Sequence, residues 1–111
     1  MDLKVADNLS YFTKPGGVVT PVMPDSDPTF NLSEIRAFVG EQARLACVTR
    51  EGYVVVHDPS HARLETEINE FATSLYAGQT GSSQTLHGNV FLIHPNHVDR
   101  EIREALSQPA S

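Results

Sequence analysis

The sequence is poor in cysteine, in basic residues and in long apolar runs, and each shortage excludes a class of protein. The single cysteine, Cys47, cannot form a disulfide within the chain, and no apolar run approaches the roughly 18 residues that a membrane span needs. Eight lysines and arginines stand against 14 aspartates and glutamates, so the clustered positive charge that binds phosphate backbones is missing. We therefore expect neither nucleic acid nor a membrane as a partner.

Sequence motifs of the common catalytic sites are also missing. The chain has no Walker-type loop, no dinucleotide-binding fingerprint, no H-E-x-x-H and no G-x-S-x-G turn. The N-terminal stretch "MDLKVADNLS" lacks the basic start and apolar run of a secretory signal, from which we expect a cytoplasmic protein. We expect no catalytic residue and no cofactor.

What is present is the composition of one small globular domain spanning residues 1–111. The chain is 40% hydrophobic and 20% charged, a mixture that folds around a single core. At this length about two-thirds of the surface of the chain is buried on folding, so no disulfide is needed for stability.

Two β-hairpins are predicted. The stretch "LSYFTKPGGVVTPVM" places two β-prone runs around a Pro-Gly turn, and Pro21 in the second run favours an edge strand because it removes a ladder N–H group. The runs "ARLACVT" and "YVVVH" are joined by Arg50-Glu51-Gly52, the length and glycine placement of a three-residue loop with a bulge. The run "YVVVH" is apolar at nearly every position, which predicts burial on both faces and a central place in the sheet.

Two helices are predicted before the last strand. In "NLSEIRAFVG", Asn31 and Glu34 have the spacing of a capping box, and Gly40 is suited to end the helix. Apolar residues at helical spacing predict a second helix from Leu64 to Tyr76. The following "AGQTGSSQT" is rich in small polar residues and is typical of a surface loop.

The last third of the chain adds a strand and a helix. "GNVFLIH" predicts a buried strand, and the run after Pro95 predicts a third helix with Asn96 as its cap. Together these elements predict an α+β domain: a mostly antiparallel sheet of about five strands, two hairpins plus a later strand, covered on one face by two to three helices.

Three blocks, "FNLSEIRAFVGE", "INEFATSLY" and "LHGNVFLI", carry a resemblance. In order and spacing they resemble a family of small proteins of phages, plasmids and scattered bacterial genomes that is known only as a domain of unknown function. Its patterns F-x-L-x-E-hydrophobic with V-G, N-x-x-A-T and G-N-V are matched by Phe30, Leu32, Glu34, Ile35, Val39, Gly40, Asn69, Ala72, Thr73, Gly88, Asn89 and Val90. The resemblance covers roughly residues 20–93 and implies a mobile-element protein without implying an activity. Where the family usually has an acidic Asn-Glu-Glu-Gly-like stretch, this chain has "HDPSH".

The stretch "VVVHDPSH" contains the first candidate site. His57, Asp58 and His61 lie close together in sequence, and neutral histidine and aspartate are common ligands of divalent metals. The alternative, which we favour, is that His57 marks the exit of a strand to water and that Asp58 or Ser60 caps the following helix.

His94 and His97 are the second candidate for metal binding. If His57 and His94 end neighbouring strands that run in the same direction, up to four imidazoles would gather at one edge of the sheet. The H-x-x-H spacing across a strand-to-helix junction is by itself a weak signal, because proline and asparagine interrupt it.

Three polar residues are candidates for binding a ligand. Asn69 and Thr73 are one helical turn apart beside the apolar stripe, and Asn89 belongs to the G-N-V block. For Asn69 and Thr73 we favour hydrogen bonds to the neighbouring backbone instead. Cys47 is flanked by Ala46 and Val48 in a predicted strand, where a thiol is a small buried hydrophobe and not a nucleophile.

Three functions therefore remain open. The first is a non-catalytic accessory protein that binds a protein partner or a small molecule, with a homodimer through an edge strand as one form. The second is a small metal-binding protein or metal-dependent enzyme that uses the histidines. The third is a structural appendage of a larger assembly that docks through its third helix. We favour the first, because no convincing catalytic set is found.

Overall fold

The computed structural model describes residues 9–24, 28–60 and 67–107, which form one five-stranded antiparallel sheet and three α-helices. The elements in chain order are β1 (Ser10–Lys14), β2 (Val18–Val22), α1 (Leu32–Val39), β3 (Arg44–Val48), β4 (Val54–His57), α2 (Glu70–Thr80), β5 (Val90–Ile93), a 3₁₀ turn (Pro95–His97) and α3 (Arg100–Ser107). The strand order is β2-β1-β5-β4-β3, so β5 lies between the two hairpins. The predicted α+β class is confirmed.

Both hairpins form where they were predicted. β1 and β2 pair around the Pro-Gly turn, and β2, which contains Pro21, lies at the edge of the sheet. In the second hairpin the N–H of Gly52 donates to the carbonyl of Thr49 at 2.9 Å, and the N–H of Thr49 donates to the carbonyl of Tyr53 at 2.9 Å. With Gly52 at φ +100°, these bonds close the expected three-residue loop with a glycine bulge.

Helices cover both faces of the sheet, and the expectation of a single covered face is wrong. Val54 and Val56 belong to a core that contains residues of α1 and α3, whereas Val55 belongs to a second core with residues of α2. Alternate residues of a strand point to opposite faces, so a strand that is apolar at every position needs cover on both sides. The three valines are fully buried.

The helix α2 begins later and ends later than predicted. Residues 64–66 of the predicted helix lie outside the described residues; after them, Ile68 forms a β-bridge with His87, and Asn69 is the N-cap of a helix that begins at Glu70. The helix continues to Thr80 and so includes the first four residues, 77–80, of the stretch that was predicted as a loop. Phe71, Ala72 and Leu75 of the predicted apolar stripe pack in the second core, whereas Ile68 is 47% exposed. The spacing could not reveal that the helix begins only after Asn69.

The helix α3 also begins later than predicted, and its cap is Asp99 instead of Asn96. The Oδ1 atom of Asp99 accepts the N–H of Ile102 at 2.8 Å. Asn96 lies in the preceding 3₁₀ turn, which begins at Pro95. None of the three described helices has the length and apolar content to cross a bilayer.

We expect the substitution Asp99→Ala to lower the free energy of unfolding by about 1 kcal/mol, because it removes the N-cap of α3. Urea denaturation followed by circular dichroism measures the change. The exposed Arg103→Ala, inside the same helix, is the control and should stay within about 0.5 kcal/mol of the wild type. Equal costs for the two variants would show that Asp99 does not cap α3.

Candidate functional site

His57 and Asp58 lie at the end of β4. His57 is half-buried and pairs with Arg44 of β3. Asp58 is buried: its Oδ1 accepts from the backbone N–H of Ser60 at 2.9 Å and from the Ser60 hydroxyl at 2.6 Å, and its Oδ2 accepts from the N–H of Gln42 at 3.2 Å. The carboxylate therefore connects the turn that follows β4 with the segment that precedes β3. His61 lies outside the described residues.

The histidines at the ends of β4 and β5 lie at opposite ends of the sheet. These strands are antiparallel, with Val54 opposite Ile93 and Val56 opposite Phe91. The four-residue length of β4 therefore separates His57 from the level of His94 by roughly 13 Å along the strand. The four-histidine cluster considered from the sequence does not form. Within the described ranges, no group of three or more histidine, cysteine, aspartate or glutamate side chains is placed to hold a metal ion.

His94 and His97 do come together, in a buried cluster with Ser10. Their rings are 5.1 Å apart, and both side chains are nearly inaccessible to solvent. The hydroxyl oxygen of Ser10 accepts the backbone N–H of His94 at 2.8 Å and lies 2.7 Å from Nδ1 of His97. The Tyr53 ring packs edge-on to His94, and the Phe30 ring packs edge-on to His97. Sequence patterns could not indicate Ser10, because β1 meets β5 only through the strand order.

The electrostatics of this cluster favour a neutral His97 ring. Burial, and secondarily the neighbouring His94 imidazole, lower the pKa of His97 below its ordinary value of 6.5. A serine beside a histidine suggests a nucleophile and its base, but Ser10 is completely buried and approaches Nδ1 from within the core. A substrate has no access to this hydroxyl, so the cluster serves the fold.

Asn69 joins three elements from a fully buried position. Its Oδ1 accepts the N–H of Ala72 at 3.0 Å, which caps α2. Its Nδ2 donates to the carbonyl and the hydroxyl of Thr13 in β1, at 3.2 and 2.8 Å, and to the carbonyl of Gly88 at 2.9 Å. The hydrogen-bonding groups of this amide are thus occupied by the protein, which is the backbone role that we favoured.

Thr73 and Asn89 also bond the backbone, at different places. The Thr73 hydroxyl accepts the N–H of Leu86 at 2.9 Å and donates to the Leu86 carbonyl at 3.3 Å. Asn89 Nδ2 donates to the carbonyl of Phe38 in α1 at 3.2 Å. Asn89 therefore contacts the helix on one face of the sheet, while Thr73 belongs to the helix on the other. The three candidate ligand-binding residues do not face one common cleft.

Cys47 and α3 contribute to the two cores. Cys47 is half-buried beside Val55, and burial raises the pKa of its thiol, which opposes thiolate formation. In α3, Leu106 is buried in the core, with Ile102 packed against the same core. The apolar side of α3 therefore faces the sheet, which leaves its polar side for any docking.

A groove of about 240 Å³ lies between α1 and the segment after β2. It is lined by Met23, Phe30, Glu34, Ala37 and Phe38. The volume is below the roughly 300–1,000 Å³ of typical ligand pockets. Its carboxylate, on Glu34, also accepts the backbone N–H of the α1 cap at 3.2 Å. The groove offers little to hold a small polar molecule.

The outer side of β3, the edge strand opposite β2, is a further candidate interaction surface. Because Thr49 and Tyr53 form a hydrogen-bonded pair, the alternation of antiparallel pairing makes the next pair, Val48 and Val54, a non-hydrogen-bonded one. The N–H and C=O groups of Val48 therefore point away from β4. No described strand pairs on that side.

The two edges of the sheet differ in how they are protected. β2 carries Pro21, and a proline in an edge strand places its missing N–H on the free side, where it hinders the addition of another strand. β3 reads Arg-Leu-Ala-Cys-Val, without proline or lysine, and Val48 is 36% exposed. The protective features of β3 itself are a bulge between Leu45 and Cys47 and the charge of Arg44 at the start of the strand.

Comparisons of the chain with protein-family models, with curated proteins and with solved structures give no match. No residue role is therefore transferred from a relative, and the roles above rest on geometry. The resemblance to the mobile-element family stays a prediction.

Proposed function

We propose that this protein is a non-catalytic accessory protein, of mobile-element type, that acts by binding a protein partner through the free edge of β3. The observation that carries the proposal is the outward direction of the Val48 N–H and C=O groups, on an apolar strand without proline or lysine. Such an edge is a template on which an extended segment adds as a further strand.

The polar side chains support binding over catalysis. Asp58, Asn69 and the Ser10–His97 pair are buried and bond neighbouring segments of the chain. Catalysis requires a nucleophile or base that a substrate can reach. The exposed backbone of β3 is reachable, and it supplies hydrogen bonds without any special side chain.

A second copy of the chain is the simplest partner for this edge. Two β3 strands related by a two-fold axis pair antiparallel and present the same residues to each other. Each copy would then continue the sheet of the other, and Leu45 and Cys47, which are half-buried, would lose further solvent contact. A different protein with an extended segment would use the same hydrogen bonds.

The test compares Val48→Pro with Val48→Thr. Proline removes the outward N–H and places its ring in the path of an added strand, whereas threonine keeps the N–H and the branched shape. The wild-type protein and the variants Val48→Pro and Val48→Thr are immobilised and then exposed to soluble wild-type protein and to a lysate of the native host. We expect at least one protein, or the chain itself, to be retained by wild type and Val48→Thr, with at least tenfold less retained by Val48→Pro.

The control is the folded state of the proline variant. Since the Val48 N–H does not bond β4, we expect Val48→Pro to unfold within about 1 kcal/mol of Val48→Thr in urea. A second edge control, Val18→Lys in β2, should retain the same proteins as wild type. Equal retention by the folded proline variant and the wild type would refute the proposal.

A further inference from the structure

The buried histidine pair connects three parts of the chain that are distant in sequence. Ser10 begins β1, His94 precedes the 3₁₀ turn after β5 and His97 ends it. The N–H of Phe30, just before α1, donates to the carbonyl of His97 at 2.8 Å. We call this set of contacts the histidine joint; it consists of Ser10, Phe30, His94, Asn96 and His97. It fixes the entry to α1 and the approach to α3 against the centre of the sheet.

The hydrogen bonds of the histidine joint fix the tautomer of His94 and support one tautomer for His97. Ser10 accepts the N–H of His94, so its one hydroxyl hydrogen is free to donate to Nδ1 of His97. Nδ1 of His94 accepts the backbone N–H of Asn96 at 3.0 Å. Nδ1 of His94 is therefore an acceptor, and its neutral ring carries the proton on Nε2. We assign the same tautomer to His97, because the Ser10 hydroxyl hydrogen then has an acceptor.

A further proton on either ring conflicts with this arrangement. On His94 it would place an Nδ1–H group against the N–H of Asn96, two donors facing each other. On His97 it would direct an Nδ1–H group at Ser10 and deprive the serine hydroxyl of its acceptor. Either proton also puts a positive charge in a buried place beside a second imidazole 5.1 Å away.

The groups that face the pair come from every neighbouring element. Among the described residues they include the Ser10 hydroxyl from β1, the Tyr53 ring from the residue just before β4 and the Phe30 ring from the segment before α1. The charged groups that follow on the same segment are Asp99 and Arg100, and both are exposed. Water therefore screens these charges from the rings.

We propose that the histidine joint is an acid-sensitive switch: protonation of His97 opens it and releases the Phe30 segment and the 3₁₀ turn, while the β3–β4 hairpin and α2 stay folded. The lowered pKa of His97 has the direction that such a switch requires, because burial disfavours the protonated ring. A histidine whose folded-state pKa is lowered contributes stability that is present above its unfolded value of 6.5 and is lost as the pH falls below that value toward the folded pKa.

Hydrogen exchange of single backbone amides, measured by NMR at about pH 7.5 and about pH 5 and corrected for intrinsic rates, tests the switch. We expect the protection of the Phe30, Asn96 and His97 amides to fall at least tenfold at the lower pH. The amides of Asn69 and Thr73, which donate to the carbonyls of Leu86 and Asn69, should keep their protection. Unchanged protection of Phe30, or equal loss at Phe30 and Thr73, would overturn the proposal, because the first means no opening and the second means global unfolding.

The double variant His94→Asn/His97→Asn separates the proton from the contacts. An asparagine oxygen occupies nearly the place of Nδ1 and accepts the same hydrogen bonds, but it does not titrate in this range. We expect this variant to lose the pH effect on the Phe30 amide, and His87→Asn, which changes a histidine outside the joint, to keep it. If the double variant does not fold, NMR titration of the wild-type His97 imidazole decides: this ring must gain its proton over the same pH range in which Phe30 loses protection, and a mismatch refutes the switch.

Discussion

Replacing Asn69 with alanine is expected to lower the free energy of unfolding by about 3–4 kcal/mol, the largest effect that we predict for a polar residue of this chain. Alanine removes the N-cap of α2, a loss of about 1 kcal/mol. It also removes the amide donor from the carbonyls of Thr13 and Gly88 at a site with no solvent exposure. Carbonyls that lose their partner in a buried site cost about 1–3 kcal/mol each.

Urea denaturation followed by circular dichroism and by tyrosine fluorescence measures this loss. Asn89→Ala is the matched control, because Asn89 is half-buried and makes one described bond, to Phe38 at 3.2 Å. We expect the control to cost about 1 kcal/mol. A cost below about 1 kcal/mol for Asn69→Ala would show that its amide does not tie α2 to β1 and to the start of β5.

The second large effect is expected for Gly40→Ala, which should cost about 3 kcal/mol. Gly40 has φ +143° and ψ 164°, a conformation that only glycine adopts readily. A methyl group at this position would collide with the buried carboxylate of Asp58 and would lie 3.0 Å from its Cγ atom. The carboxylate cannot retreat without giving up its bonds to Gln42 and Ser60.

Gly81→Ala is the control for the cost of forcing alanine into a positive-φ backbone conformation without a collision. Gly81 has φ +74° in the left-handed region, and a methyl group there would meet nothing within 4 Å. We expect it to cost about 1–2 kcal/mol. The double variant Gly40→Ala/Asp58→Ala separates the collision from the strain: it should be more stable than the sum of the two single changes implies, because the second substitution removes the collision. Strict additivity would show that Gly40 and Asp58 do not interact.

Local features of the fold could be predicted because their signals lie within a few residues. The Asn31–Glu34 capping box is present, with the Glu34 N–H donating to Asn31 at 2.8 Å. The hairpin loop that ends at Gly52 has its glycine where a positive φ is needed. In both cases the same residues form the signal and the structure.

Features that depend on contacts distant in sequence could not be predicted. Ser10 meets His97 across 87 positions of the chain, only because β1 pairs with β5. The break in the predicted second helix at Asn69 arises because its amide side chain has partners in β1 and near β5. Apolar periodicity reports one face of a segment and contains no information on these partners.

The candidate interaction site was predictable in part. The apolar character of "ARLACVT" and the protective role of Pro21 are visible in the sequence. Only the strand order β2-β1-β5-β4-β3 identifies β3 as the other edge of the sheet. Only the hydrogen-bonded pair of Thr49 and Tyr53 shows that Val48 directs its N–H outward. The opposite ends reached by His57 and His94 likewise follow from antiparallel pairing, which neither strand specifies alone.

Hydrogen exchange of the Val48 amide, free and bound to whatever the wild-type chain retains, tests strand addition at β3 most directly. The proposed function predicts that binding slows exchange at Val48 at least tenfold, because its N–H gains an acceptor, and leaves the amides of β2 at their free rates. If the Val48 amide exchanges equally fast in the complex while protection rises along β2 or elsewhere, the partner binds at another surface and the proposed role of β3 is wrong.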